Sequence, residues 1–304
     1  MSSEKTKQTV QTTGHAWDGD IQEFNNPLPN WWLWGFYATV VFAVIYWVLF
    51  PAFPIGNSYT KGVMNDISYT TADGKEKTSH WTTRALLMKE MQEAREMQKP
   101  YVDKINKSSY QQIATSKEQS AFAYSTAKVL FADNCAACHQ AGGAGVMSLY
   151  PNLADDSWLW GGSYQQIETS IRNGRKGAMP GFKASLSAKE VDQVAEYVLS
   201  LSGHKVNAAN AANGKIVFEG TGGCAACHTP AGTGQFAMGS ANLTDKVWTV
   251  ANVPGAASFS DKKAAIKHVV RAGISREMPA WQGRLSDAEI KMLSFYVHQL
   301  SGGK

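Results

Sequence analysis

The longest apolar stretch of the chain is the uncharged run of residues 31–53. Its 23 residues are enough for a helix to cross the roughly 30 Å hydrocarbon core of a bilayer. Tryptophans cluster near both ends of the run, where their rings would lie at the membrane surfaces, and Pro51 and Pro54 favour an end to the helix. A helix buried in a protein core is the alternative, but no nearby segment is apolar enough to cover it. We therefore predict one transmembrane helix.

The segments on either side of this run are polar. Residues 1–30 lack the short apolar core and cleavage site of a signal peptide, so we expect an uncleaved anchor, and His15 fits a surface turn better than a ligand role. Residues 54–119 are a connector, irregular over residues 55–79, where Gly, Ser, Thr and Asn are frequent. Helical spacing of apolar residues then predicts a helix near residues 82–97, ending before Pro100.

The rest of the chain contains an internal repeat. Matching segments of the first and second copies are 127–131 and 214–218, 151–153 and 241–243, 158 and 248, 171–174 and 270–273, and 179–180 and 278–279. The offset rises between the third and the fourth match, so the second copy has about nine extra residues. We predict that these form a surface loop near residues 250–261.

Each copy is predicted to end in a helix. Ser187 with Glu190, and Ser286 with Glu289, have the spacing of a capping box, in which the serine hydroxyl accepts from a backbone N–H and the glutamate reaches back. Apolar residues follow at helical spacing and give each helix one buried stripe. They are Val191, Val194, Val198 and Leu201 in the first copy, and Ile290, Leu293, Val297 and Leu300 in the second. The predicted stops are Gly203 and Gly302.

Length and charge narrow the function classes. A chain of 304 residues has room for about two compact domains. A net charge of +4 argues against a nucleic-acid-binding protein. Residues 204–304 carry 11 basic and 6 acidic side chains, whereas residues 120–203 carry 6 and 7. We expect the two regions to face different partners, with Lys262, Lys263 and Lys267 as a candidate docking surface, although a basic surface without a function is the alternative.

All four cysteines of the chain lie in two identical C-x-x-C-H motifs. These are Cys135, Cys138 and His139, and Cys224, Cys227 and His228. In this motif the two thiols bond to the vinyl groups of a haem and the histidine binds its iron. A redox disulfide or half of a zinc site is the alternative for a single copy. Two identical copies, each with His directly after the second Cys and a Met-Pro downstream, favour two covalently bound haem c groups.

With these motifs in place, residues 120–203 and residues 206–304 each resemble a class I cytochrome c domain, a small all-α fold around one haem. The resemblance implies that the histidine of each motif binds iron from one side. A methionine in the loop before the last helix binds it from the other side, and this ligand set raises the reduction potential. The implied pairs are His139 with Met179 and His228 with Met278.

Other residues are weaker ligand candidates. Met147 and Met238 lie too close behind their motifs to cross to the opposite face of the iron, and His268 fits a surface position better. The resemblance also implies that each iron-binding histidine donates its second ring N–H to a backbone carbonyl, here that of Pro151 and of Ala241. The second domain lacks the proline that is usual there.

The chain as a whole resembles the dihaem subunit of cbb3-type cytochrome c oxidases. The most diagnostic part is the N-terminal pattern G-H-x-W-D-G-x-I-x-E-x-x-N-P-L-P-x-W-W over residues 14–32, which leads into the membrane helix and then the two cytochrome domains. This implies an all-α protein with one N-terminal transmembrane helix and two tandem class I cytochrome c domains. It also implies a subunit without a catalytic centre of its own, accessory to oxygen reduction by the oxidase.

The same resemblance implies an electron path and a location. Electrons would pass from a donor cytochrome c through the two haems to a monohaem subunit, and then to the haem–copper subunit, where oxygen is reduced and protons are pumped. The chain would lie in the bacterial inner membrane, with residues 1–30 cytoplasmic and the haem domains periplasmic, where c-type haems are attached. A dihaem relay for another respiratory complex and a haem-based sensor remain as alternatives.

Overall fold

The computed structural model of the chain describes residues 10–63, 66–71 and 73–301. These residues form two compact units, which divide after Gln98. Of the residues, 49% are helical and 14% lie in strands, so the all-α prediction is only roughly right. The strands form four separate two-stranded ladders.

The first unit begins with a hairpin of β1 (Thr12–Trp17) and β2 (Ile21–Phe24), within the segment that was predicted as a polar tail. The helix α1 (Asn30–Leu49) follows. Its 20 residues span about 30 Å at 1.5 Å per residue. Among the described residues it is the one helix long and apolar enough to cross a membrane. It ends at Leu49 because a residue before proline avoids helical dihedrals, and Phe50, before Pro51, is extended.

The connector is more regular than its composition predicts. It contains two hairpins, formed by β3 (Pro54–Ile55) with β4 (Ser58–Tyr59) and by β5 (Asp66–Thr70) with β6 (Glu76–His80). The prediction of irregular backbone over residues 55–79 is therefore wrong for the residues that lie in these four strands. The helix α2 (Thr83–Lys107) continues through Pro100, against the prediction that it ends there. Proline inside a helix removes one backbone hydrogen bond, which the remaining turns of this long helix tolerate.

The second unit holds the repeat. Its helices are α3 (Tyr110–Thr115), α4 (Lys117–Asn134), α5 (Ala136–His139), α6 (Tyr164–Asn173), α7 (Ala188–Leu201), α8 (Ala208–Glu219), α9 (Ala225–His228), α10 (Phe259–Ala272) and α11 (Asp287–Leu300). Its strands are β7 (Arg175–Met179) and β8 (Ile274–Met278). The predicted capping boxes are present at the start of α7 and α11. Gly203, beyond α7, has a positive φ of 83°, whereas Gly302 lies outside the described residues.

Two hydrophobic cores fill this unit, and each draws on both copies of the repeat. The first core combines α4 and α6 of the first copy with α11, the last helix of the second copy. The second core combines α8 and α10 of the second copy with α7, the last helix of the first copy. Each core thus includes the closing helix of the other copy, whereas the sequence predicts one cytochrome domain over residues 120–203 and a second over residues 206–304.

Chain connectivity explains the exchange. Only six residues separate α7 from α8, and helices joined by so short a loop pack as antiparallel neighbours. The strands β7 and β8 carry the chain across in opposite directions and pair with each other, Arg175 opposite Met278 and Met179 opposite Ile274. The extra residues of the second copy were predicted to form a surface loop, but not all of them are exposed. Val253 is only 1% exposed and packs in the second core.

Candidate metal centres

The two histidines of the C-x-x-C-H motifs are held in the same way. Each lies at the end of a one-turn helix, α5 or α9, formed by the last four residues of its motif. The Nδ1–H of His139 donates to the carbonyl of Pro151 at 3.1 Å, and that of His228 donates to the carbonyl of Ala241 at 2.9 Å. The expected carbonyl partners are therefore confirmed, and the second domain keeps the contact without proline. This contact fixes the ring and leaves Nε2 for a metal.

Protonation also favours a metal ligand. Burial lowers the pKa of His139 and of His228, although the carbonyl that each contacts opposes the shift. Both rings are therefore neutral at neutral pH and keep a lone pair on Nε2.

The thiols do not resemble those of a redox disulfide. All four cysteines are free and partly buried. Burial, with the neighbouring Cys138, raises the pKa of Cys135 to about 11, and burial raises that of Cys224. Redox-active cysteines have a lowered pKa instead. In the described ranges no group of three or more His, Cys, Asp and Glu side chains is arranged to hold a metal, so neither motif has the further ligands of a structural zinc site.

An apolar cavity lies beside the second motif. It offers about 110 Å³ of space to water-sized molecules. His228 and Cys224 line it on one side, with Trp248 from the following loop. The methionine in this cavity is Met179, not Met278. Val194 and Val198, from the predicted stripe of α7, complete the apolar wall.

The other methionine, Met278, lies in the half that contains the first motif. Met278 packs against the first core, as do Cys135 and Trp158. Met278 therefore lies with the half that contains His139, and Met179 lies with His228, whereas the expected pairs put each methionine with the histidine of its own copy. Each methionine is the last residue of a strand, β7 or β8, that precedes a closing helix, and the two antiparallel strands carry the chain to opposite halves.

Backbone contacts hold the two crossings in place. After Met179, the N–H of Phe182 donates to the carbonyl of Val270 at the end of α10. After Met278, the N–H of Trp281 donates to the carbonyl of Ile171 on α6. These two bonds are equivalent in the repeat, and each joins one copy to the other. The exchange is therefore built into the backbone around both methionines.

Two glycines make room for the crossing. Gly174 and Gly273 have φ values of 67° and 75°, which favour glycine. A side chain at Gly174 would overlap the backbone of residues 278–280, and one at Gly273 that of residues 179–181. They are the glycines of the repeated segments 171–174 and 270–273. The sequence signalled these glycines as a repeat, but it did not indicate that each faces the other copy's methionine.

The residues fit haem c. Each half brings two thiols, a neutral imidazole and a thioether together, which is the donor set of covalent haem with His/Met iron ligation. Two buried donors also lack a protein acceptor among the described residues, Nε1 of Trp158 and Nη2 of Arg276. Unpaired buried donors are costly, and a bound haem would bring carboxylates that can accept from them.

The other ligand candidates lie outside these two sites. Met147 and Met238 are about half exposed on the loops after their motifs. His268 is exposed on α10, and His15 is exposed on β1. His298 is buried but stacks on Tyr164 with ring centroids 3.8 Å apart, as part of the first core's edge.

Two of the three proposed docking lysines form ion pairs within the fold. Nζ of Lys263 lies 2.9 Å from a carboxylate oxygen of Asp192, and Nζ of Lys267 lies 2.8 Å from the other. These two side chains therefore hold α10 against α7. Sequence analysis missed this role because the partners are more than 70 residues apart.

Comparison with known proteins gives a consistent result. The family described as "N-terminal domain of cytochrome oxidase-cbb3, FixP" matches residues 9–57. The family described as "Cytochrome C oxidase, cbb3-type, subunit III" matches residues 123–198 and 209–297. The chain is 39% identical to the cbb3-type cytochrome c oxidase subunit FixP of Azorhizobium caulinodans, over 96% of this chain and 94% of that protein. It is 35% identical to subunit CcoP of Cereibacter sphaeroides over the full length of both.

Proposed function

Because the chain belongs to the family of cbb3-type cytochrome c oxidase subunit III, we propose that it is the electron-entry subunit of such an oxidase. It takes electrons from a donor cytochrome c and passes them through two covalent haem c groups to a monohaem subunit and the haem–copper subunit. The chain itself does not reduce oxygen. The observation that carries this proposal is the pair of matched sites, each with a C-x-x-C-H motif and a methionine delivered by the other copy.

We propose crossed ligand sets for the two irons. His139 and Met278 bind the haem on Cys135 and Cys138, and His228 and Met179 bind the haem on Cys224 and Cys227. The support is the placement of Met179 in the cavity with His228, and of Met278 against the core that includes Cys135. Each haem is then held by residues from both copies of the repeat.

The groups bound here supply reversible one-electron transfer, and the chain sets its direction and speed. The carbonyls of Pro151 and Ala241 would hold the two neutral imidazoles in a fixed orientation toward a bound haem. With haem bound, the thioether of Met278 or Met179 would favour reduced iron and would leave no place for oxygen to bind. The apolar walls, such as Val194 and Val198 in the second half, exclude water from the site.

We propose that α1 anchors the chain in the bacterial inner membrane in a single pass. Residues before α1 then lie in the cytoplasm, and the unit with the two sites lies in the periplasm, the side on which c-type haem is attached. The connector with its two hairpins and α2 lies on the periplasmic side, where partner subunits are within reach.

The first test is isolation from the native membrane in a mild detergent, followed by a reduced-minus-oxidised spectrum and subunit analysis. Haem c, haem b, copper and oxygen-reducing activity in one particle are the expected result. A dihaem c protein that purifies without an oxidase would instead favour a relay between other respiratory complexes. Carbon monoxide binding by the reduced haems of the intact protein would contradict ligation by both methionines.

A further inference from the structure

The closing helix α7 is joined to the second half by a cluster of four charges. Asp192 and Glu196 project from α7, and Lys263 and Lys267 project from α10. Nζ of Lys263 lies 2.9 Å from Asp192 and 3.4 Å from Glu196, and Nζ of Lys267 lies 2.8 Å from Asp192. The four side chains are at most 34% exposed, so solvent screens these pairs less than it screens surface ion pairs.

Glu196 also ties this cluster to α8. Its side chain is 3% exposed, and it accepts from the backbone N–H of Asn207 at 2.7 Å and from Nδ2 of Asn210 at 3.3 Å. A carboxylate at the first turn of a helix is favoured because free N–H groups and the positive end of the helix dipole lie there. Three helices of the second half therefore meet at two acidic side chains that come from the first copy.

The other copy of the repeat carries a different charge pattern at the same positions. At an offset of 99 residues, the equivalents of Asp192, Glu196, Lys263 and Lys267 are Lys291, Phe295, Tyr164 and Glu168. If each closing helix packed within its own copy, Asp192 would face Glu168 and Lys291 would face Lys267. Both are like-charge contacts, whereas the exchanged arrangement pairs Asp192 with two lysines. Like charges placed together are strongly disfavoured in a packed interface.

We propose that Asp192, Glu196, Lys263 and Lys267 are positioning residues that direct α7 to the second half and thereby assign Met179 to the second haem. The inference rests on the crossed ligation proposed above. Met179 precedes α7 by only a short loop, so the half that receives the helix receives the methionine as well. The charges act through Met179 and do not touch the iron.

The test uses the full-length, haem-loaded protein in detergent, with a protease site placed between Lys205 and Val206. In the exchanged arrangement, cleavage leaves two interlocked pieces that elute together. The oxidised protein keeps the far-red sulfur-to-iron absorption of two methionine-ligated haems. Separation of the unmodified protein after cleavage would overturn the crossed ligation itself, and this outcome is distinct from failure of the charge proposal.

The charge proposal is tested with D192K, D192K/K267E and the control K262E. D192K places three lysines together, and we expect the co-eluting fraction, or the methionine absorption of one haem, to fall about tenfold. D192K/K267E restores an opposite-charge pair and should restore both readouts. K262E makes the same charge change on α10 as K267E does, and Lys262 has no ion pair within the described parts of the chain, so K262E should behave as the unmodified protein does.

Two results would overturn the charge proposal. One is D192K with unchanged co-elution, absorption and midpoint potentials. The other is a D192K/K267E variant whose co-eluting fraction and methionine absorption are as low as those of D192K. That result would mean that the loss came from position 192 alone. If D192K does not accumulate, recovery of haem-loaded protein by D192K/K267E carries the same information.

Discussion

The two closing helices are equivalent in sequence, yet they are held in their cores by different interactions. α7 is held by ion pairs to Lys263 and Lys267. α11 is held by rings: Tyr164 on α6 stacks on Phe295 and on His298, with planes 7° and 19° apart. Apolar and aromatic contacts supply area without strongly selecting a partner, whereas charges favour one partner and disfavour another. The two copies are therefore not interchangeable.

The helix crossings differ as well. Where α8 meets α7, a side chain on Gly214 would overlap the carbonyl oxygen of Gln193, so the backbones touch there. The equivalent position in α4 is Ala127, which is fully buried and accommodates its methyl group against the first core. The second half thus packs α7 more closely than the first half packs α11.

The largest effect is expected from removing one of the two methionines that we propose as iron ligands. In a background with Cys135→Ala and Cys138→Ala, only the second motif keeps covalent haem. M179A in that background should open this haem to carbon monoxide and lower its midpoint potential by on the order of 100 mV, because the thioether favours reduced iron. M278A in the same background should leave both properties nearly unchanged. Redox titration with carbon monoxide difference spectra measures this, and the reverse result would restore the uncrossed pairs.

The next effect tests the helix crossing. G214A should lower the free energy of unfolding by about 1–3 kcal/mol, because the added methyl forces α8 away from α7. G142A is the control, since a side chain at Gly142 meets nothing within 4 Å, and we expect a change below about 0.5 kcal/mol. Denaturant unfolding of the haem-loaded protein gives both values. Equal stability of the two variants would show that the crossing of α7 and α8 accommodates the added methyl group.

A smaller effect distinguishes α7 from α11 by how the loss of stability in a variant depends on pH. Burial opposes ionisation of Asp192, but hydrogen bonds from Lys267 and Lys263 outweigh it and lower the pKa of Asp192. A carboxylate with a lowered pKa stabilises the fold above its unfolded value of about 3.9, and the contribution is lost as pH falls through the folded value. D192N should therefore have a lower Tm than the parent at pH 7, and the difference should shrink below about pH 4.

The matching variant on α11 gives the smallest effect. Nζ of Lys291 donates to the carbonyls of Asn106 at 3.1 Å and Ser108 at 2.5 Å, at the C-terminal end of α2. K291M keeps the apolar stem and loses this charge, so we expect a loss of about 0.3–1 kcal/mol, typical of a cation at a helix C-terminus. The loss should be the same at pH 7 and pH 4, in contrast to D192N. A loss that shrinks in acid would mean that Lys291 also acts on a carboxylate.

Local patterns predicted much of this protein. The membrane helix follows from an uncharged run, and its end follows from Pro51. Both capping boxes are present as expected, because capping depends on residues three positions apart. The carbonyl partners of His139 and His228 followed from the resemblance to class I cytochrome c. The hairpins of the connector and the passage of α2 through Pro100 did not follow, because composition does not report strand pairing or the stability of a long helix.

The amino-acid sequence by itself indicated which side chains can hold haem: two cysteine pairs, two histidines and two methionines in a repeat. Only the tertiary structure decided how they combine. The two copies have nearly the same local pattern, so either methionine satisfies the pattern beside either histidine. The choice depends on the short loop between α7 and α8 and on contacts such as Asp192 with Lys263, between residues 71 positions apart. Interactions at that separation form only when the chain is folded.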